Sequence, residues 1–367
     1  MRVDPKPTGL GRYSLNVTKQ MLKDPRFEYY VLTSMPQLFE IDSNQIITAP
    51  SWTQPGFGKY GAVNRFIFTL LLKYRRKIDF NLVYTPSQHG FPNLNNQVIT
   101  IHDLLPLKFK EAFSKQSLSY YHYRFIIPKL LKLSQKVIAV SVNTKNDIVN
   151  YYGLSPSSIR VVYNGVDVIA DREFLSKDKL MNKFKLSSEY ILSVGTSSFR
   201  YKNAERLIIA FAKQHALKEY NLVFCGGRPD YISLLKHLAT KFNAQERIIF
   251  LDYVNEKELF SLYKWARLFV YPSLYEGFGL PPLESMACGC PVIVSNTSSL
   301  PEVCGDAAFY VDPNSVEDIE RGMEKVLNDK ELQTKLIING FERVKQFSWN
   351  KTAQGILNVF EEVLEER

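Results

Sequence analysis

Short apolar runs alternate with segments of helical period along the chain. The runs are rich in Val, Ile, Leu and aromatic residues, and most of their positions are apolar. They occupy residues 29–33, 81–85, 97–101, 136–141, 159–163, 190–194, 221–225, 247–251, 268–271 and 291–295. Runs of this kind, spaced by crossover helices, are typical of parallel sheets buried on both faces. The pattern predicts an α/β protein.

The runs form two series of five, and a polar, charged stretch at 164–189 separates them. We interpret this stretch as a linker, and a chain of 367 residues suits two domains. Two doubly wound domains facing one another would place a cleft at the carboxyl ends of their strands. Only Met1 to Asp4 precede the first Pro-rich turn, so the first strand is expected to be short or missing, as after a truncation or a late start codon.

Composition narrows the class of protein. No stretch approaches the roughly 18 apolar residues that a membrane span needs, and the N-terminus lacks the apolar run of a signal peptide. The four cysteines show no disulfide or metal-ligand spacing, which indicates a reducing, cytosolic environment. Residues 1–170 carry 21 Lys and Arg against 10 Asp and Glu, a net +11, and the remainder carries 25 against 27, a net −2. The basic half suggests an anionic partner, namely a membrane surface, a nucleic acid or an anionic acceptor, although a solvated basic face is the simpler alternative.

The sequence "EGFGLPPLE" at 276–284 combines two acids with a glycine-rich turn. Pro281 and Pro282 fit only the first turn of a helix, so the helix is predicted to begin near Leu280. Its first amides and the Gly-Phe-Gly loop would form a site for an anion or a polyol. Glu276 at the strand end and Glu284 inside the helix would then bind sugar hydroxyls, although Glu284 alone could simply complement the helix dipole.

Three other segments carry candidate chemistry at strand ends or before a helix. Arg200 and Lys202 follow the first strand of the second half and suit a diphosphate, or are simply a solvated loop. Gly9 and Gly11 permit close approach of a ligand before a helix that starts near Arg12. His102, followed by Asp103, could orient a substrate hydroxyl, although a lone histidine is more often structural.

Several enzyme classes are excluded by absent motifs. The sequence has no Asp-x-Asp at a strand end and no His or Cys cluster that predicts a metal site. It also lacks the nucleophile elbow of serine hydrolases, the phosphate loop of P-loop enzymes and a dinucleotide fingerprint after any strand.

Taken in order, the motifs resemble those of the family 4 glycosyltransferases, retaining enzymes of the GT-B fold. The likeness covers nearly the whole chain, through "GLGRY", "IHDLLPL", "VIAVSVNTKNDI", "VVYNGVD", "SVGTSSFRYKNAERLIIAF", "FLDYV", "EGFGLPPLE" and "FSWNKTAQGILNVFEEVL". It implies two facing Rossmann-like domains with a cleft between them. The expected boundaries are 1–170 for the acceptor-binding domain, 171–345 for the nucleotide-sugar domain and 346–367 for a helix that crosses back to the first.

The resemblance also implies roles for individual residues. Arg200 and Lys202 would bind the donor diphosphate, with Thr196 where many members have a cation. Gly9 and Gly11 would close on the diphosphate from the other domain. His102 would contact the sugar near its anomeric carbon. The remaining expected donor contacts are Val254 with the base, Glu284 with the ribose, and Glu276 with the transferred sugar, helped by Gly277, Phe278, Gly279 and Leu280. His102, Glu276, Lys202 and Arg200 would be the catalytic residues.

The implied substrates are a nucleotide sugar, either a GDP- or a UDP-sugar with mannose favoured, and a glycan or lipid-linked acceptor. No metal, other cofactor or nucleic acid is expected. Basic and aromatic residues mix at 57–80, including Arg75, Arg76 and Lys77, and again at 107–136. Both segments suit peripheral attachment to the cytoplasmic face of an anionic membrane, or a helix packed in the core. The alternatives are a GT-B sugar-nucleotide epimerase and a nucleic-acid-binding or nucleic-acid-modifying protein.

Overall fold

The computed structural model describes residues 9–50, 80–109, 118–167, 172–186, 189–214 and 217–366. The chain divides into two compact units. Unit 1 comprises Met1–Gly165 and Ser348–Arg367, and unit 2 comprises Val166–Phe347. The boundaries expected from the sequence were 170 and 345, with the last segment returning to the first domain.

The described residues of unit 1 form two parallel sheets, one of two strands and one of four in the order β3-β4-β5-β6. The strands are β1 (Val31–Thr33), β2 (Ile46–Thr48), β3 (Val83–Thr85), β4 (Gln97–Ile101), β5 (Lys136–Ala139) and β6 (Ile159–Val161). The helices among the described residues before Gly165 are α1 (Leu10–Met21), α2 (Leu105–Lys108), α3 (Leu118–Tyr121), a π-helical turn (His122–Ile126), α4 (Ile127–Leu133) and α5 (Val142–Tyr152).

The C-terminal helix completes the core of unit 1. It is numbered α14 (Trp349–Glu365), and the Ser348 hydroxyl caps it by accepting from the amide of Lys351 at 3.2 Å. Its apolar side packs with α1, where the rings of Tyr13 and Trp349 meet edge to face. Its other side forms ion pairs, in which Lys136 Nζ lies 2.8 Å from a carboxylate oxygen of Glu362. The helix is therefore an integral part of this core.

The described part of unit 2 is built on one six-stranded parallel sheet. Its strands are β7 (Tyr190–Ser197), β8 (Asn221–Gly227), β9 (Ile248–Leu251), β10 (Leu268–Tyr271), β11 (Val292–Ser295) and β12 (Phe309–Val311). Its helices are α6 (Lys177–Phe184), α7 (Ala204–Lys213), α8 (Pro229–Lys241), α9 (Glu256–Trp265), α10 (Leu280–Ala287), α11 (Leu300–Cys304), α12 (Val316–Asn328) and α13 (Lys330–Val344). The strand order is β12-β11-β10-β7-β8-β9, so the winding reverses between β7 and β10. Ligands of doubly wound sheets bind at such a switch point.

Each of the ten apolar runs coincides with a strand, which confirms the predicted α/β class with two parallel-sheet units. The pattern missed the three-residue strands β2 and β12. The division between the units, at Gly165 and Val166, falls inside the stretch 164–189 that was interpreted as a linker, and most of the described residues of that stretch belong to unit 2. Helix α6 lies inside this stretch and buries Leu180, and the neighbouring Leu175 accepts at its carbonyl from Trp265 Nε1 at 2.9 Å. Charged residues on the exposed side of α6 conceal this packing in the sequence.

Candidate functional site

The connections that leave β7 and β10 carry the predicted residues Lys202 and Glu276. After β10, residues 272–279 run to α10, which begins at Leu280 as predicted, with Pro281 in its first turn. Gly279 has φ +101°, and a Cβ atom there would lie 2.7 Å from Leu300 Cδ2. Only glycine tolerates both conditions. The glycine turn therefore fixes the direction in which the chain enters α10.

Lys202 and Glu276 form an ion pair at the switch point. Lys202 Nζ lies 2.8 Å from Glu276 Oε1, and these side chains are only 16% and 11% exposed. The same ammonium donates to the hydroxyl of Tyr271, the last residue of β10, at 2.6 Å. Burial raises the pKa of Tyr271, and the charge of Glu276 raises it further. The three groups thus form a buried cluster of one cation, one anion and one neutral phenol.

The backbone around Lys202 is bound directly to the connection that follows β10. Lys202 ends a 3-10 turn, Arg200–Lys202, and Asn203 follows in the left-handed region with φ 67°. The Asn203 side-chain amide donates to the carbonyls of Pro272 at 2.9 Å and Pro313 at 2.7 Å. The Leu274 amide donates to the Tyr201 carbonyl at 2.8 Å. These bonds explain how Lys202 reaches a carboxylate that is distant in sequence.

Two serines that the sequence analysis missed hold the Glu276 segment. Ser298 Oγ accepts from the Glu276 amide at 3.0 Å. Ser299 Oγ is fully buried and lies within donating distance of two carbonyls, Glu276 at 3.0 Å and Phe278 at 2.9 Å. Both serines follow β11, the neighbour of β10, so only the strand order brings them here. The loop is therefore shaped by side chains from a third connection.

Glu284 lies one turn inside α10 and is bound by a phenol. Its Oε2 accepts from Tyr263 Oη of α9 at 3.1 Å, and both side chains are buried. Burial raises the pKa of Tyr263 well above its usual value, and the neighbouring Glu284 adds to the shift. Tyr263 therefore stays protonated and able to donate. Nothing in the sequence marks Tyr263 as a site residue, since an aromatic residue on an amphipathic helix normally indicates core packing alone.

The other predicted residues of unit 2 differ in accessibility. Arg200 is 69% exposed, and its Nε lies 3.6 Å from Glu205 Oε1. Thr196 is fully buried, and its Oγ1 lies 2.9 Å from Ser193 Oγ. Val254 is half-buried, directly before the Asn255 cap of α9. Of the turn residues, Gly277, Phe278 and Gly279 are buried and Leu280 is half-buried.

In unit 1, His102 follows β4 and is 8% exposed. Its Nε2 lies 2.9 Å from the carbonyl of Pro86. Because a carbonyl only accepts, Nε2 carries the proton and Nδ1 is the acceptor of the neutral ring. Burial lowers the pKa of His102 to about 4, so the ring is uncharged at neutral pH. His102 can therefore accept a hydrogen bond from a substrate hydroxyl but supplies no positive charge.

Helix α1 brings the predicted glycines into the same part of unit 1. Gly9 precedes the helix with φ 41°, and no described atom lies within 4 Å of a Cβ atom built there. Gly11 is buried in the first turn. Tyr13, one half-turn further, meets the His102 ring edge to face at 4.5 Å between centroids. Its hydroxyl lies 3.2 Å from that of Tyr84. Because Tyr13 stands in α1 directly after the glycines and contacts His102, this unpredicted residue links the glycine loop to His102.

The predicted membrane-facing segments lie only partly within the described residues. Residues 57–79, with Arg75, Arg76 and Lys77, lie outside the described residues, as do 110–117 of the second segment and the first eight residues. Within the described ranges no helix has both the length and the apolar character needed to cross a membrane. The same ranges contain no group of three or more His, Cys, Asp or Glu side chains arranged around a metal position.

Two family models together match almost the whole chain. The model of glycosyltransferase family 4 matches residues 7–169, and the model of group 1 glycosyl transferases matches residues 176–343. The first covers most of unit 1 and the second lies within unit 2. Each half of the sequence is therefore recognised independently.

Individual relatives agree with the models. The O-antigen chain mannosyltransferase RfbU of Salmonella typhimurium is 32% identical over 266 residues, which cover 71% of this chain and 70% of RfbU. O-antigen chain mannosyltransferase B of Escherichia coli is 28% identical over 374 residues and 96% of both chains. Among solved structures, Anabaena HepE with UDP and glucose has a TM-score of 0.75 at 19% identity, covering 98% of this chain and 97% of HepE. Such structural neighbours confirm the predicted GT-B fold class.

Proposed function

The chain belongs to the family 4 glycosyltransferases, and from this premise we propose that it transfers mannose from a nucleotide sugar, GDP-mannose first, to a glycan or lipid-linked acceptor of a surface polysaccharide. The observation that carries the proposal is the Lys202–Glu276 pair at the switch point of unit 2. Two relatives named as O-antigen mannosyltransferases support the choice of sugar and of acceptor class.

In this proposal the buried cluster binds the donor. Lys202 would bind the diphosphate, and Glu276 would accept from hydroxyls of the transferred sugar, assisted by the amides of the Gly277–Leu280 turn. The N-terminus of α10 would add its partial positive charge. Glu284, already held by a phenol, would accept from the ribose, and Val254 would lie against the base.

The reaction is proposed to proceed with retention of configuration and without a metal ion. The bond between the anomeric carbon and the diphosphate breaks, and the acceptor oxygen bonds to that carbon from the same face while its proton passes to the departing diphosphate. The charge that grows on the leaving group would be stabilised by Lys202 and the α10 amides. Neutral His102, through Nδ1, would accept from a sugar hydroxyl.

Purified protein with a panel of GDP-, UDP-, ADP- and CMP-sugars tests the donor. A ligand at 100 times its dissociation constant stabilises the fold by about 2.7 kcal/mol, so the preferred donor raises Tm measurably. We expect GDP-mannose to raise Tm most. In a separate transfer assay, we expect the protein to move mannose from GDP-mannose to a polyprenyl-diphosphate-linked sugar. The anomeric configuration of the product, read from its one-bond C–H coupling, tests retention.

The same experiment distinguishes the alternatives. Release of an epimerised nucleotide sugar without an acceptor would favour the epimerase. A Tm shift with nucleic acid and none with nucleotide sugars would favour the nucleic-acid-binding protein. Family membership and the mannosyltransferase relatives favour neither alternative. No Tm shift with any nucleotide sugar would contradict the proposal.

We further propose that unit 1 docks on an anionic membrane through residues 118–133. Tyr121 and Phe125 are 50% and 54% exposed and stack on each other, and Leu133 is 41% exposed. The same segment exposes three cations and contains no Asp or Glu. The cations are Arg124, Lys129 and Lys132. Exposed aromatic residues among cations fit the headgroup region of an anionic bilayer.

Flotation with vesicles tests this surface. Vesicles of phosphatidylcholine with phosphatidylglycerol should bind the protein, and vesicles of phosphatidylcholine alone should not. Tyr121→Ser with Phe125→Ser should reduce binding at least tenfold. The matched control is Ile338→Ser with Phe341→Ser on α13, two apolar residues that are 58% and 45% exposed in unit 2. Equal binding of both double variants would contradict the docking surface.

A further inference from the structure

Tyr271 gives Lys202 an anchor that is neutral. Its side chain is 1% exposed, and its hydroxyl oxygen accepts from Lys202 Nζ at 2.6 Å, against 2.8 Å for Glu276 Oε1. The ammonium also lies 5.1 Å from the centroid of the Tyr271 ring. Lys202 is therefore held by a carboxylate, which cancels its charge, and by a phenol, which does not.

The phenol remains protonated in its surroundings. Burial and the nearby Glu276 carboxylate both raise the pKa of Tyr271. An uncharged hydroxyl oxygen still accepts from an ammonium, and a hydrogen bond to a charged group is stronger than one between neutral groups. The Tyr271 hydroxyl thus fixes the position of Nζ and leaves the full positive charge of Lys202 available.

We propose that Tyr271 is a positioning residue, which keeps Lys202 at the switch point while Glu276 shares its hydrogen bonds with the transferred sugar. This inference rests on the proposed function. When sugar hydroxyls compete for Glu276, the carboxylate holds the ammonium less firmly. Tyr271 then keeps Nζ within reach of the leaving diphosphate, where its charge stabilises the transition state.

Substitution Tyr271→Phe tests the inference, because it removes one oxygen and keeps the ring. We expect kcat for mannose transfer to fall about tenfold, the loss expected for a hydrogen bond to a charged group, while KM for the donor changes less than threefold. In a Lys202→Ala background the same substitution should have no further effect on kcat, because a positioning residue acts only through its partner.

The matched control is Tyr190→Phe. Tyr190 lies on the neighbouring strand β7, is also fully buried, and donates to the Leu262 carbonyl at 2.8 Å. Both substitutions remove a buried phenol oxygen, so both should lower Tm, but only Tyr271→Phe should lower kcat. An equal loss of kcat in the two variants, or an undiminished effect of Tyr271→Phe without Lys202, would overturn the inference.

A measurement that needs no donor separates this inference from the proposed function. Acylation of lysine by an amine-reactive ester, followed by mass spectrometry, reports the freedom of the Lys202 amine. Labelling of Lys202 should rise several-fold in Tyr271→Phe and stay unchanged in Tyr190→Phe. Unchanged labelling in Tyr271→Phe would overturn the anchoring role even in an active mannosyltransferase. Increased labelling in a protein that binds no nucleotide sugar would leave the anchor standing and contradict only the function.

Discussion

Glu276 and Glu284 lie eight positions apart and are both buried, yet their partners differ. Glu276 sits in a loop, bonds to the ammonium of Lys202, and has its backbone held by two serines. Glu284 sits on a helix and accepts from the neutral hydroxyl of Tyr263.

The difference separates two kinds of task. A carboxylate paired with a cation is part of a charge balance, and any anion that approaches Lys202 changes that balance. A carboxylate held by a phenol on a helix keeps one orientation, which suits recognition of a fixed hydroxyl. Under the proposed function, Glu276 and Lys202 therefore influence chiefly turnover, and Glu284 influences chiefly nucleotide affinity.

The largest expected effect is that of Lys202→Ala. Removal of one group that stabilises a developing negative charge lowers kcat by about 10²–10³-fold. The comparison variant is Arg200→Ala, two residues earlier. This second expected diphosphate ligand is 69% exposed, so solvent screens its charge and the loss of kcat should be smaller. Steady-state kinetics with GDP-mannose check both. A larger loss in the Arg200 variant would mean that the exposed cation carries the diphosphate.

A smaller loss is expected for Glu276→Gln. The amide retains the shape of the carboxylate but removes its charge, so sugar hydroxyls and Lys202 lose a charge-assisted bond. We expect kcat to fall about 10- to 100-fold, the range for loss of a hydrogen bond to a charged group. The dissociation constant for GDP, measured by calorimetry, should change less than threefold. If Glu276→Gln weakened GDP binding and left kcat unchanged, Glu276 would serve nucleotide affinity, the role proposed for Glu284.

The sequence predicted the positions of Glu276 and Glu284 better than it predicted the side chains that contact them. Local rules were enough to predict that Glu276 lies in a loop and Glu284 on a helix, because prolines in the first helical turn and a glycine turn define where α10 begins. Tyr271 and Ser298 are linked to Lys202 and Glu276 only because β10 lies between β7 and β11. A hydrophobic pattern identifies strands without fixing their order, so such contacts are invisible in it.

Thr196 is a candidate site residue whose surroundings differ from those that the hydrophobic pattern predicts. Its place after a strand-end glycine made it a candidate for the site, but β7 continues to Ser197 and directs the threonine hydroxyl to Ser193 in the interior. The end of a strand is the least certain feature of a hydrophobic pattern, and a shift by one residue reverses the face of every side chain. Its role in donor binding remains a prediction.

Substitution Glu284→Gln should act on binding. We expect the dissociation constant for GDP to rise about tenfold, since a charge-assisted bond to a ribose hydroxyl becomes a neutral one. At saturating donor, kcat should stay within threefold of the original protein. Calorimetry with GDP and with guanine base alone checks the assignment, because the base should bind both proteins equally. Weaker binding of the base as well would place Glu284 beneath the nucleobase instead of the ribose.

The smallest expected effect is that of Tyr263→Phe, which tests whether Glu284 needs its phenol. The loss of one hydrogen bond leaves Oε2 of a buried carboxylate without this donor, and a net contribution near 1 kcal/mol corresponds to about a fivefold rise in the dissociation constant for GDP. The effect should vanish in a Glu284→Ala background, where no acceptor remains at this position, because the phenol acts only through the side chain of residue 284. Tyr271→Phe is the matched control. It removes a phenolic hydroxyl beside Glu276 and should leave GDP affinity nearly unchanged. If Tyr271→Phe weakened GDP binding as much as Tyr263→Phe, both acids would contribute to nucleotide affinity and the division between turnover and binding would be wrong.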